Sequence, residues 1–451
     1  MNVRHTVRAA AFALTSIAGA AAAVIVFPAP VFPLWVVRLA ALELSLGASA
    51  LAVLGIALAL AAREARAAWT AVLIGVPALV ALLVPSLAAI PSYVRSGVRF
   101  SIGEYVLGVD PAGVTVERDL VLDPGRPLRA DLYRPALGEP HPLVMVVHGG
   151  AWRAGDKGAA SHVSRALAAA GHAVLDVQYG LAPAHPFPEA VADVKCLLGR
   201  ARERAASLGL DPARVALLGR SAGGQIALVA AYSAGDPRLA PACGVDDRPV
   251  SGVVAAYPPT DLAAGYVRPV RPDVVRGPEA LEAYLGGPPW TRAAAYRLAT
   301  PQSWVDRPVP PTLLVHGTGD RLVHVGHSRG LAASLRAAGR RCVLLEVPYA
   351  EHGFDVRPGG MGEQLARGAI LGFLGEVLEA DAPERRATER RRPWRAPRFG
   401  RRAAIAPSPP PSPRPRGRPS PPGRTRRASA RARGGGPPRA GSAGGTSGSR
   451  P

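Results

Sequence analysis

Hydrophobic residues are spread along this chain in three different ways. In the first 90 residues they form long, nearly unbroken stretches at 9–27, 39–62 and 67–90, each close to the roughly 20 residues a helix needs to cross a bilayer. From about 110 to 380 they come in short runs separated by amphipathic segments. After Ile405 they almost vanish.

The middle region reads as alternating strands and helices. "VTVERDLVL" and "LRADLYRP" alternate with period two and predict a leading hairpin. Six apolar runs follow, at 142–147, 172–179, 214–219, 251–257, 311–317 and 342–348. Between them lie helix-like segments, among them "ASHVSRALAAAG", "PEAVADVKCLLGRARERAASLG" and "SRGLAASLRAAG", the last two ending at glycine as a helix C-cap does. Buried strands alternating with amphipathic helices predict an α/β domain over 110–380, with a mostly parallel sheet covered on both faces.

The three apolar stretches predict a membrane region over 1–91. Arg4 and Arg8 precede the first span and Arg63 and Arg66 follow the second, whereas the loop "PAPVFPLWVVR" between them holds only Arg38. The positive-inside rule therefore puts the N-terminus in the cytoplasm and the domain after 91 outside it. If the first stretch is instead a signal peptide cleaved near "AGAAAA", the domain still lies outside. Glu43 is the one acid within a span, and is expected either to pair with Arg38 near the interface or to mark a functional position.

Charge changes the picture only at the far end. From Arg385 to Pro451 there are 19 arginines against one acid, Glu389, so this tail carries +18 of the chain's net +21. Rich in Pro, Ser, Gly and Arg, it has too little apolar content to bury a core, and disorder is expected over 385–451. Its candidate partners are anionic lipid or envelope polymer; nucleic acid fits poorly with an extracytoplasmic site. A tail without function is the third reading. Cys196, Cys243 and Cys342 show neither metal-ligand spacing nor a disulfide framework, although one disulfide stays open.

The candidate chemistry starts at "GRSAGG". Gly219, Ser221 and Gly223 stand between a predicted strand and a predicted helix, the context of a nucleophile elbow that lifts a serine Oγ above the sheet. "HGGAW", directly after the strand at 142–147, offers the N–H groups of Gly149 and Gly150 to an oxyanion, together with that of Ala222. His148 and Trp152 are expected to hold this loop. A general base late in the chain is His352 of "YAEHGF", and Asp320 of "HGTGDRLVH" is the acid expected to orient it. Asp261 is the alternative acid.

The stretch from about 125 to 378 resembles α/β-hydrolases of the hormone-sensitive-lipase and acetylesterase type, a family of serine carboxylesterases. "HGGAWRAGDK", "YGLAPAHPFPEAVADV", "DPARVALLGRSAGG", "PPTLLVHGTGDRLV" and "EHGF" carry the likeness, in family order. It implies Ser221 as nucleophile, His352 as base, Asp320 as acid and Gly149, Gly150 and Ala222 as oxyanion donors, acting on esters of short acyl chains with no metal or organic cofactor. Ala151 stands where many relatives have a third glycine, which keeps amides, formamides and peptides open as substrates. Arg220 stands where many have aspartate. The segment 258–310 is expected to form a cap over the site. A catalytically idle, membrane-anchored binding scaffold is the alternative outside enzymology.

Overall fold

A computed structural model describes residues 3–379 apart from Arg63, Glu64, Leu137 and Glu139. The Arg-rich tail expected to be disordered lies outside the described residues.

The chain opens with five helices, α1 (Val3–Val26), α2 (Phe32–Glu43), α3 (Ser45–Ala61), α4 (Ala65–Ser96) and α5 (Ile102–Leu107). Ala18 and Ala22 of α1, Ala52 of α3 and Ala78 of α4 share one packed cluster, since small side chains let helix backbones approach closely. The segments His5–Val26 and Trp69–Ser96 are each long and apolar enough to cross a membrane. A third crossing would need α2 and α3 taken together, and these meet at a bend of 73°. The structure thus corrects the sequence reading at two points. The first loop is largely helical from Phe32, and the stretch 39–62 is broken at Leu44 rather than straight. The cause is tertiary: Trp35 and Leu39 of α2 pack against Val274 and Leu322 of the following domain, and Arg38 bonds there as well, which ties α2 to that surface.

The α/β domain begins with the hairpin of β1 (Val114–Asp123) and β2 (Arg126–Pro135). Then come β3 (His141–Val147), α6 (Ser161–Ala169), β4 (Ala173–Val177), α7 (Glu189–Glu203), α8 (Ala205–Leu208), β5 (Leu210–Arg220), α9 (Ala222–Tyr232) and β6 (Gly252–Ala256). The excursion after β6 carries α10 (Leu262–Val267), α11 (Gly277–Leu285) and α12 (Ala293–Ala299), and the domain ends with β7 (Thr312–Gly317), α13 (Gly326–Ala337), β8 (Cys342–Val347) and α14 (Met361–Glu379). The strands form one sheet in the order β1-β2-β4-β3-β5-β6-β7-β8, antiparallel at β1–β2 and β2–β4 and parallel from β4 onward. Alternation along β3 shows why both faces are covered. Leu143, Met145 and Val147 point into a cluster with α7 and α9, while Val144 and Val146 point into one built with α14 and with Ala89 and Tyr93 of α4. The last turns of the fourth N-terminal helix therefore belong to the core of the α/β domain. Cys196 of α7 is disulfide-bonded to Cys243, with the Cα atoms 5.5 Å apart.

Candidate active site

The parallel strands end on one side of the sheet, and the site is built there from four strand-end loops. β5 stops at Arg220, and Ser221 takes φ 54° and ψ −123° before α9 starts at Ala222. A β-carbon on Gly219 would lie 2.1 Å from the Gly223 carbonyl oxygen, and one on Gly223 would lie 2.2 Å from those of Val147 and His148. Only glycine allows strand, helix and neighbouring loop to pass this closely. The strained φ of Ser221 is maintained by its surroundings, including its own N–H donating to the Ala256 carbonyl at 2.9 Å.

The loops after β7 and β8 bring the other two groups together. His352 Nε2 lies 2.8 Å from Ser221 Oγ, and His352 Nδ1 lies 2.7 Å from Asp320 Oδ2. An ionised carboxylate only accepts hydrogen bonds, so Nδ1 carries the proton and Nε2 is left to accept from Oγ. Asp320 is buried. Burial alone would raise its carboxyl, but His352 and His316 beside it, with their hydrogen bonds, hold it well below the usual carboxylate range. Its other oxygen, Oδ1, accepts from the N–H groups of Leu322 and Val323, each at 2.8 Å. Asp261, the alternative acid, does not take this place: its Oδ1 accepts from Ala264 N at 2.9 Å and caps α10.

Gly149, Gly150 and Ala222 line the same cavity as Ser221 and His352. Gly150 has φ 121°, and a β-carbon there would lie 1.9 Å from the Ala154 carbonyl oxygen, so the turn tolerates no side chain. Ala222 opens an eleven-residue helix whose N-terminal dipole favours negative charge at this point. The expected roles of His148 and Trp152 appear in their contacts. The His148 ring stacks on Tyr179 at 4.3 Å, and burial pushes its pKa down. Trp152 donates from Nε1 to Gln225 at 2.8 Å.

Three supports were not legible in the sequence. Arg220 forms a two-pronged pair with Asp355, Nε to Oδ2 at 2.9 Å and Nη2 to Oδ1 at 2.7 Å. Tyr257 donates to Asp355 at 2.5 Å, and its ring packs on the His352 imidazole at 4.5 Å. Burial would raise the Asp355 carboxyl, but Arg220 and Tyr257 hold it below its ordinary value. The second support is His316, whose Nε2 is 3.2 Å from Asp320 Oδ2. The third is Glu351, fully buried, which accepts from Arg321 N at 2.6 Å, His352 N at 3.0 Å and Arg38 Nε at 3.2 Å. Arg38 thus pairs with Glu351 and not with Glu43, the partner expected from sequence; the Glu43 carboxylate lies against Gly360 instead.

The cavity in front of Ser221 measures about 730 Å³. The excursion between β6 and β7 contributes Leu262, Val270, Val274, Val275 and Leu281 to its lining, and α2 contributes Phe32, Trp35 and Leu39.

Residues 130–335 match the BD-FAE family. Among characterised proteins the chain is similar to Esterase LipC of Mycobacterium tuberculosis, 33% identical over 248 residues, which is 54% of this chain and 60% of the relative. It is also similar to Esterase LipQ of the same organism, 30% identical over 56% of this chain and 60% of the relative. The matched part therefore spans about three-fifths of these relatives' length. Among solved structures, a hyperthermophilic esterase from Pyrobaculum calidifontis superposes with a TM-score of 0.50 at 25% identity, covering 66% of this chain and 92% of that one. Sheet order, elbow and these likenesses agree: the domain following the N-terminal helices has the α/β-hydrolase fold and resembles esterases of that fold.

Proposed function

We propose that this protein is a membrane-anchored serine hydrolase that cleaves carboxylic esters through an acyl-enzyme. The observation that carries the reading is the hydrogen-bonded chain from Asp320 through His352 to Ser221, at 2.7 and 2.8 Å. As Oγ attacks the ester carbonyl carbon, His352 Nε2 takes its proton, and the Gly149, Gly150 and Ala222 N–H groups receive the oxyanion. The imidazolium then gives that proton to the departing alkoxide. Water attacks the acyl-enzyme, passing a proton through Nε2 back to Ser221 Oγ as the carboxylic acid leaves. Asp320 stays ionised throughout and fixes the imidazole tautomer. The names of LipC, LipQ and the Pyrobaculum enzyme favour esters over amides, and short acyl esters are the first substrates expected.

Anchoring rests on α1 and α4, and an extracytoplasmic domain on arginine placement around the spans. The Cys196–Cys243 bond supports the same location, because such bonds persist in oxidising compartments.

The decisive test uses a fluorophosphonate probe on the full chain. It should label Ser221, and Ser221→Ala should abolish labelling and lower p-nitrophenyl butyrate hydrolysis on the order of 10⁴-fold or more. Unchanged turnover in Ser221→Ala would overturn the mechanism, and a wild-type chain that neither labels nor turns over would be the idle scaffold.

A further inference from the structure

One wall of the cavity in front of Ser221 does not come from the hydrolase domain. Phe32, Trp35 and Leu39 of α2 line it, and Trp35 and Leu39 are buried against Val274 of the cap excursion and Leu322 of the acid loop. The opposite side of α2 is apolar too, yet uncovered: Leu34 and Val37 are 43% and 50% exposed. A helix with one apolar face docked on a protein and another left bare is suited to the boundary of a bilayer. The bend of 73° between α2 and α3 turns α2 away from the direction of α3. Phe32 lines the cavity while 47% exposed, as does Val356 at 49%, and these two mark its mouth.

Capacity points the same way. A volume of about 730 Å³ lies within the roughly 300–1,000 Å³ of sites that enclose whole drug-sized ligands, far more than an acetyl or butyryl group fills. On the α2 side and at Val270, Val274, Val275 and Leu281 the lining is aliphatic and aromatic and suits a hydrocarbon chain, while Arg153, Arg268 and Asp273 place charge elsewhere along it.

We infer that the substrate is a membrane-resident amphiphilic ester with a long hydrocarbon chain, which enters from the bilayer past α2 and lays that chain against Trp35, Leu39 and Leu281, leaving its ester carbonyl at Ser221. This rests on the ester-hydrolase and anchoring readings above, and it extends the substrate range beyond short acyl groups.

The test places the full chain in vesicles of ether-linked phosphatidylcholine, which present no carboxylic ester of their own, doped with p-nitrophenyl esters of two to sixteen carbons. The dodecanoyl ester should exceed the acetate at least tenfold in kcat/KM, and its rate should follow its mole fraction in the vesicle surface rather than its bulk concentration. Leu39→Trp, which fills the cavity from α2, should lower dodecanoyl turnover at least tenfold more than acetate turnover. Leu281→Trp on the cap side repeats the comparison if Leu39→Trp misfolds, and the surface-dilution result needs no variant. An optimum at two to four carbons, or a rate that tracks bulk concentration, would overturn the inference while leaving the esterase reading intact. Absence of turnover of every ester, with no probe labelling, would instead remove the esterase reading beneath it.

Discussion

Arg38 and Glu351 stand 313 residues apart in sequence and are joined by a hydrogen bond of 3.2 Å, both buried. The guanidinium belongs to a helix of the N-terminal region. The carboxylate directly precedes His352 and accepts the N–H groups of Arg321 and His352, one residue from Asp320 and at His352 itself. The pair therefore acts on the backbone that carries the candidate acid and base. Glu351→Gln and Arg38→Met are expected to lower kcat about tenfold with a small change in KM. The two changes together should cost less than their sum, with a coupling of about 1 kcal/mol. Steady-state kinetics on p-nitrophenyl acetate checks this, and strictly additive effects would show that the pair does not position the site.

Asp320 and Asp261 separate cleanly. Asp320→Asn should reduce kcat on the order of 10³- to 10⁴-fold, because an amide in contact with Nδ1 favours the wrong imidazole tautomer. Asp261→Asn keeps a side-chain oxygen that accepts the Ala264 N–H and caps the six-residue helix, and is expected to change kcat by less than about threefold, with at most about 1 kcal/mol of stability lost. Parallel kinetics and thermal unfolding of the two variants distinguish them. A larger kinetic loss in Asp261→Asn would exchange their roles.

The Arg220–Asp355 pair predicts a pH dependence of stability. Since the folded-state pKa of Asp355 is depressed from the model-compound value of 3.8, the unfolded chain binds its proton more readily. The pair's contribution is complete above pH 3.8 and is lost as pH falls through the lower folded value. Asp355→Asn leaves Arg220 buried without its counter-charge and should cost about 3–5 kcal/mol at pH 7, with a deficit that shrinks below pH 4. Denaturant midpoints for wild type and variant at pH 7 and pH 3 measure this; equal deficits at both would mean the carboxylate is not what matters.

The disulfide makes location testable without a cell. Protein isolated without reductant and then unfolded should offer one alkylatable thiol, Cys342, and three only after reduction. Cys243→Ser should cost about 2–5 kcal/mol, read as a fall in melting temperature. Three free thiols in the unreduced sample would count against an oxidising compartment.

Much of the candidate site was legible because it is local. An elbow, a glycine turn after a strand and a histidine after the last strand each announce themselves within a few residues, and strand ends bring them together. The supports were hidden because they are distant. Glu351 sits in plain view beside His352, and a buried acid demands a cation, but nothing nearby in the sequence selects Arg38 from so many arginines. His316 reads as one more residue of an apolar strand. The break at Leu44 was missed for the same reason: 39–62 has the hydrophobicity of one span, and what holds α2 off its line is a surface assembled from Val274, Leu322 and Glu351, far along the chain. The basic tail belongs to composition alone, and its expected dispensability can be checked by truncation after Ala380.

Arg38 and Glu351 are also made at different times. At a synthesis rate of roughly 5–20 residues per second, the 313 residues between them take roughly 15 seconds to a minute to emerge, during which the N-terminal helices exist without their counter-charge. Arg38 has somewhere to wait: its Nη1 donates to the Val24 and Phe27 carbonyls at 3.2 and 3.3 Å, and to that of Ile25, carbonyls at the end of α1 that a helix leaves unpaired. The nascent N-terminal bundle can hold its own arginine until the loop after β8 arrives, and that same loop brings His352, the hydrogen-bond partner of Ser221, so the N-terminal helices wait with a bonded arginine for the segment that completes the candidate site.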